Sequence, residues 1–107
     1  AEAFEDSPVL RNRTKVLVYD HNWDDPEYPI TILRNASVNQ SDTIVGSAFH
    51  CYNGNVSAQQ LVHDAAPNKR IFFTECCGGA WAPNFTSNLL WDTENLVIGT
   101  INGWAET

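Results

Sequence analysis

Glu75 ends the run Arg70-Ile71-Phe72-Phe73-Thr74 and opens onto Cys76-Cys77-Gly78-Gly79. A carboxylate at the end of a short apolar run can attack an electrophilic carbon, ligate a metal or pair with a cation. No arginine ends another apolar run, which lowers the salt-bridge option. Two other runs end in groups that hold hydroxyls or move protons. Lys15 to Tyr19 leads into Asp20, His21 and Asn22, and Ile44 to Tyr52 carries His50 and Tyr52 at its end. Strand ends are often polar simply because they meet water. Three such clusters in succession form a site-like pattern, since parallel α/β folds bind ligands at the carboxyl ends of their strands. Trp23, Tyr52 and Trp81 follow or end these runs. Their flat faces could cover the apolar face of a sugar ring while N–H or O–H reaches a hydroxyl. Trp91 and Trp104, further along, are expected to pack.

Other chemistries find little support. There is no Gly-x-Ser-x-Gly elbow, no Gly-x-Gly-x-x-Gly and no phosphate loop. Cys51, Cys76 or Cys77 beside His50 is the only thiol–base pairing available, and nothing specific favours it. The three cysteines and nearby histidines lack zinc spacing, so neither a metal nor a cofactor is expected. An odd cysteine count leaves at least one thiol unpaired. Buried free thiols are the expected state, with a Cys51–Cys76 bridge left open. The net charge of −7 and the scattered basic residues argue against nucleic acid as a partner. No stretch approaches the roughly 20 apolar residues of a membrane span.

These residues need elements to position them. The three apolar runs suit strands buried on both faces of a parallel sheet. Between them, Ser57 should cap a helix carrying Ala58, Leu61, Val62 and Ala65 at i, i+3, i+4 and i+7, stopped by Pro67. A weaker helical pattern runs from Tyr28 to Arg34. After Gly78 and Gly79, Thr86 or Ser87 should open a helix through Leu90, Val97, Ile98 and Ile101, with Glu94 solvated. The order is βαβαβα, preceded by a fragment of helix or loop. It fits either an open doubly wound sheet or part of a closed eightfold barrel, which needs about 250 residues. By strand alternation Glu75 would point inward with Phe73 and Ile71.

Three segments together carry a resemblance. Tyr19-Asp20-His21-Asn22-Trp23-Asp24, Gly46-Ser47-Ala48-Phe49-His50-Cys51-Tyr52-Asn53-Gly54 and Phe73-Thr74-Glu75-Cys76-Cys77-Gly78 resemble glycoside hydrolase family 30 in order and spacing. That family includes glucosylceramidases, endo-β-1,6-glucanases and endo-β-1,6-galactanases. The resemblance implies that residues 1–107 are a fragment of a (β/α)8 TIM-barrel catalytic domain carrying its fifth to seventh strands. Gly103 to Thr107 would lead into the eighth. It implies Glu75 as the nucleophile of a retaining β-glycosidase, with His50 and Tyr52 lining the sugar site and Asp20, His21, Asn22 and Trp23 near it. The family's acid/base is the Glu of an Asn-Glu-Pro segment, which does not occur here. The implied partners are a β-linked glycan or glycolipid and the remainder of the same barrel. The Asp-His-Asn-Trp segment slightly favours the glucanase and galactanase branch. The isolated chain is expected to be inactive. A non-catalytic carbohydrate-binding module and a structural domain are the readings from other classes.

Asn-x-Ser/Thr triplets at Asn12, Asn35, Asn39, Asn55 and Asn84 exceed the roughly 1.4 that this composition predicts. They make a secreted, extracellular glycoprotein the expectation.

Overall fold

The computed structural model describes residues 6–79 and 82–107. A short helix, α1 (Pro8–Arg13), precedes strand β1 (Val16–Trp23). Helices α2 (Glu27–Leu33) and α3 (Ala36–Asn39) lead to β2 (Ile44–Gly54). Helix α4 (Ser57–Ala65) then leads to β3 (Arg70–Glu75). Helix α5 (Phe85–Asp92) passes through a π-helical stretch, Thr93–Gly99, into a last turn, α6 (Thr100–Asn102). The strands form one sheet in the order β1-β2-β3, with both pairings parallel. The expected βαβαβα alternation is present. No helix among the described residues is long and apolar enough to cross a membrane.

The sheet forms because its runs are apolar on consecutive residues and α4 covers them. Phe49, Leu33, Val62 and Ala48 are wholly buried, joined by Ile71, Ala66, Trp23 and Ala58. Burying a side chain the size of Phe49 contributes about 1.5–3 kcal/mol. Gly46 lets β2 and β3 approach closely, because a Cβ there would stand 1.9 Å from Arg70 O. Lys69 lies buried at the other end of the strands and donates from Nζ to Ser41 O and Ile44 O. Ala105 to Thr107 extend the sheet beyond β3. Ile71 bridges Ala105 in parallel, Glu106 N donates to Ile71 O, and Phe73 N donates to Thr107 O.

The helix starts differ from the expected ones. Ser57 is the first helical residue of α4 and its N–H donates to Asn55 Oδ1, so Asn55 supplies the capping oxygen. Asn84 caps α5 by accepting from Ser87 N, rather than Thr86 or Ser87 opening the helix. In both cases an asparagine just upstream reaches an orphan amide that the serine does not. Asn35 caps α3 in the same way, accepting from Ser37 N. The irregularity after Asp92 also has a local cause. Thr93, Asn95 and Thr100 each donate from the side chain to the carbonyl four residues back, at Leu89, Trp91 and Leu96. Such back-bonding competes with the helical ladder.

Leu96 and Thr100 turn one side of the α5-to-α6 helix onto the core, but among the described residues its other side is uncovered. Phe85, Leu90 and Ile101 are 77%, 66% and 66% exposed, and Leu89, Val97 and Ile98 are also exposed. Trp91 and Trp104 differ from the packing expectation, being 42% and 53% exposed. Trp104 stacks on the His63 ring at 4.0 Å and donates from Nε1 to Gln60. The radius of gyration is 15.5 Å, against about 13 Å for a compact chain of this length.

Candidate active site

The pairing of the strands is irregular at adjacent levels on the two sides of β2, one residue apart. Between β1 and β2 the register runs Tyr19↔Ala48 and then His21↔Phe49, so Asp20 is an extra residue. Between β2 and β3 it runs Phe49↔Phe73 and then His50↔Glu75, so Thr74 is extra. Bulges of this kind re-aim side chains and are frequent beside active sites. Tyr19 (φ 77°) and Asp20 (φ 49°) lie in the left-handed region, which costs a non-glycine residue on the order of 1–3 kcal/mol. The two extra residues meet, because Thr74 Oγ1 donates to Asp20 Oδ1 at 3.0 Å.

Asp20 Oδ1 also lies 3.0 Å from His50 Nε2, and the same nitrogen is 3.7 Å from Glu75 Oε2. On the other side Tyr52 donates from its phenol to Glu75 Oε1 at 2.9 Å, and Tyr52 OH is 3.2 Å from Cys77 Sγ. Tyr52 N donates to Asn22 Oδ1, tying the end of β2 to β1. A chain of contacts thus runs Asp20–His50–Glu75–Tyr52–Cys77 across the strand ends. Phe73 and Ile71, with which Glu75 was expected to align, belong to the apolar core, while the Glu75 side chain is 57% exposed. The carboxylate therefore stands on the open side, held by the Tyr52 phenol with the His50 imidazole 3.7 Å away, and free to meet a ligand.

Other expected site residues take other places. His21 is exposed and meets Tyr19 edge-on, away from Glu75, in a shallow cleft with Asp24, Asp25 and Tyr28. Trp23 is 3% exposed and stacked on Phe73 at 5.4 Å, so it is a core residue here rather than an open face for a sugar. Trp81 lies outside the described residues, as does the side chain of Asn12. The cysteines also depart from the expectation of buried free thiols. Cys51 and Cys76 form a disulfide, and Cys77 is free and exposed. Sequence reasoning missed Thr74 as a site residue, since nothing in a β-rich run marks which threonine is the extra one. A cavity of about 510 Å³ opens beside the Tyr52 phenol, walled by the disulfide, Cys77, Asn88, Trp91 and Asp92.

Protonation follows from these contacts. The His50 hydrogen bond, then that of Thr74, holds the Asp20 carboxyl below its ordinary range. Asp20 is therefore anionic at neutral pH and is a poor proton donor. The Tyr52 phenol is pushed well up by its contacts with Cys77 and then Glu75, which keep it protonated. Because the folded-state pKa of Asp20 is depressed, its stabilising contribution is present above its ordinary value and is lost as pH falls through the lowered one. Replacing Asp20 by Asn should accordingly make thermal midpoints less sensitive to acidification below pH about 4. Equal acid sensitivity in both proteins would show that the contact contributes nothing.

A parallel sheet of βα units with a carboxylate, a phenol and an imidazole gathered at its strand ends defines the class: an α/β fold with a polar cluster where such folds bind ligands. Its relatives fit that class. No family model matches the chain. An endo-1,6-β-D-glucanase of Neurospora crassa is 33% identical over 110 residues, covering 92% of this chain and 20% of the relative. Endo-1,6-β-D-glucanases of Trichoderma harzianum and Aspergillus fumigatus are 32% and 35% identical, each covering 86% of this chain and 17% of its own length. The solved structure of the endo-β1,6-glucanase BT3312 superposes with a TM-score of 0.77 at 33% identity, covering 86% of this chain and 22% of that one. The chain is thus related to endo-1,6-β-glucanases. It spans about a fifth of the length of the curated relatives it matches.

Proposed function

We propose that this chain is a segment of the catalytic barrel of a retaining endo-β-1,6-glucanase of glycoside hydrolase family 30, with Glu75 as its nucleophile. The observation that carries the reading is the placement of Glu75. It is an exposed carboxylate at a strand's carboxyl end, held by Tyr52 with His50 close by, in a chain whose relatives are named endo-1,6-β-glucanases. β1, β2 and β3 are then the fifth, sixth and seventh barrel strands, and Ala105 to Thr107 begin the eighth. Relatives of this one activity favour a β-1,6-glucan as substrate over a glycosphingolipid.

In the proposed reaction a Glu75 oxygen attacks the anomeric carbon and the bond to the leaving oxygen breaks. A glycosyl-enzyme ester results. Tyr52, donating to Oε1, fixes the carboxylate for attack through Oε2. The leaving oxygen takes a proton from a second carboxyl group, which then accepts a proton from the water that cleaves the ester. A retaining pair stands about 5–5.5 Å apart. Asp20, kept anionic and already bonded to His50 and Thr74, does not fill that role. The acid/base is assigned to a glutamate outside these 107 residues. The exposed apolar face of the α5-to-α6 helix is assigned to contact with further βα units of the same barrel. No cofactor takes part.

Secretion and glycosylation belong to the same proposal. Asn35, Asn55 and Asn84 engage their side-chain oxygens in helix caps, leaving Nδ2 for a glycan. Asn39 is less suited, because its Nδ2 donates to Leu33 O and Asn68 Oδ1. The experiment is an assay of the complete protein on a linear β-1,6-glucan, with the anomer of the first product followed by proton NMR. Release of β-anomer before mutarotation is expected. Initial release of α-anomer would exclude the double-displacement mechanism, and no release at all would exclude the substrate.

A further inference from the structure

We propose that the Cys51–Cys76 disulfide is a positioning element of the active site, holding Tyr52 against Glu75 where the sheet no longer does so. The inference rests on the glycosidase reading for its kinetic consequence, though not for its geometry.

The two half-cystines are neighbours in sequence of every side chain that touches Glu75. Cys51 lies between His50 and Tyr52, and Cys76 follows Glu75 and precedes Cys77. The bridge spans a Cα–Cα distance of 5.3 Å. The β2–β3 register is already broken by the extra residue Thr74, and its last pair is His50↔Glu75. Beyond that pair β2 runs on to Gly54, whereas β3 ends at Glu75 and residues 76–79 have no regular structure. No further pair on that ladder holds Tyr52 beside Glu75. The next tie between the strands is the covalent one. Tyr52, 44% exposed, is tied on its other side to Asn22 of β1 and to the His50 ring, and Cys77 is exposed, so on the β3 side the bridge is the tie that remains. A bridge one residue from each partner therefore sets the 2.9 Å Tyr52–Glu75 contact. Misplacing a reacting group by about 1 Å can cost on the order of 10²-fold in rate.

The test uses the complete protein and its Cys51→Ala/Cys76→Ala variant. With folding verified by circular dichroism, kcat on β-1,6-glucan should fall about 10²-fold while KM changes by less than about threefold. Tyr52→Phe should slow the bridged protein but have little further effect in the unbridged one, because both changes remove the same contact. A bridge with a merely structural role would leave the Tyr52→Phe penalty equal in the two backgrounds, and that result overturns the proposal. If the variant does not fold, brief treatment of the native protein with a trialkylphosphine replaces it. The phosphine is oxidised to its oxide with oxygen from water while each sulfur gains a proton. Lost activity should return on reoxidation, and retained activity in the reduced, folded protein would overturn the proposal. A bridged protein inactive on β-1,6-glucan contradicts the glycosidase reading instead. Positioning is then read from tyrosinate absorbance, taken as the difference from Tyr52→Phe. Without the bridge the Tyr52 phenol should ionise at lower pH, closer to ordinary tyrosine, as its contacts with Cys77 and Glu75 loosen. An unchanged titration would overturn the proposal on geometric grounds alone.

Discussion

Replacing Glu75 by Ala in the complete protein is expected to reduce kcat on β-1,6-glucan by on the order of 10⁴- to 10⁶-fold, the cost of removing one member of a nucleophilic unit. The expectation follows from the open stance of the carboxylate and its two polar neighbours, His50 and Tyr52. Glu75→Ala removes the nucleophile and leaves a space beside the anomeric carbon. Azide should enter that space and attack from the face Glu75 occupied, displacing an activated β leaving group in a single inverting step to give an α-glycosyl azide. Glu75→Gln should be equally slow and is not expected to be rescued, since the amide fills the space. A folded Glu75→Ala protein with near-normal kcat would remove Glu75 from the mechanism.

The second large effect concerns stability. The 107-residue chain on its own should give no cooperative monomeric melt, and should aggregate when concentrated. Three strands and their helices leave Phe85, Leu90, Ile98 and Ile101 facing water on one continuous helix. Among the described residues β1 pairs only with β2, so its other edge stays open to other chains. A contiguous apolar face of this kind is a contact surface or an aggregation site. The disulfide stabilises the chain by about 3.5 kcal/mol at this loop length, too little to offset so much exposed apolar surface. Size-exclusion chromatography with thermal unfolding decides the matter. A monomer with a sharp transition would contradict the view that these residues complete their fold only within a larger barrel.

Much of this architecture is legible in the sequence. The runs Lys15 to Tyr19, Ile44 to Tyr52 and Arg70 to Thr74 announce β1, β2 and β3 within a few residues, because strands buried on both faces are apolar at consecutive positions. The helix at Ala58, Val62 and Ala65 shows its period for the complementary reason. Of the polar residues closing those runs, Asp20, His50, Tyr52 and Glu75 converge in one chain of contacts. What fails to show in the sequence depends on partners far away in the chain. A bulge at Asp20 or Thr74 is a mismatch between two strands, so neither strand carries its signal alone. Cysteine pairing needs a distance, which spacing cannot supply. Trp23 follows a strand like a ligand platform, yet Phe73, fifty residues later, closes over its ring. Capping by Asn55 and Asn84 rather than by the residues after them turns on a single hydrogen bond at each helix start.

The central claim is covalent, and its most direct measurement is the mass of the complete protein after exposure to a 2-deoxy-2-fluoro-β-gentiobioside with an activated leaving group. Fluorine at C2 slows both steps, and the reactive leaving group lets the first outrun the second. One fluoroglycosyl unit should be added per molecule, and peptide mapping should place it on Glu75 within Arg70 to Cys76. Activity should return as the ester hydrolyses. An adduct on another carboxylate, or inactivation without any adduct, would contradict the assignment of Glu75 as nucleophile.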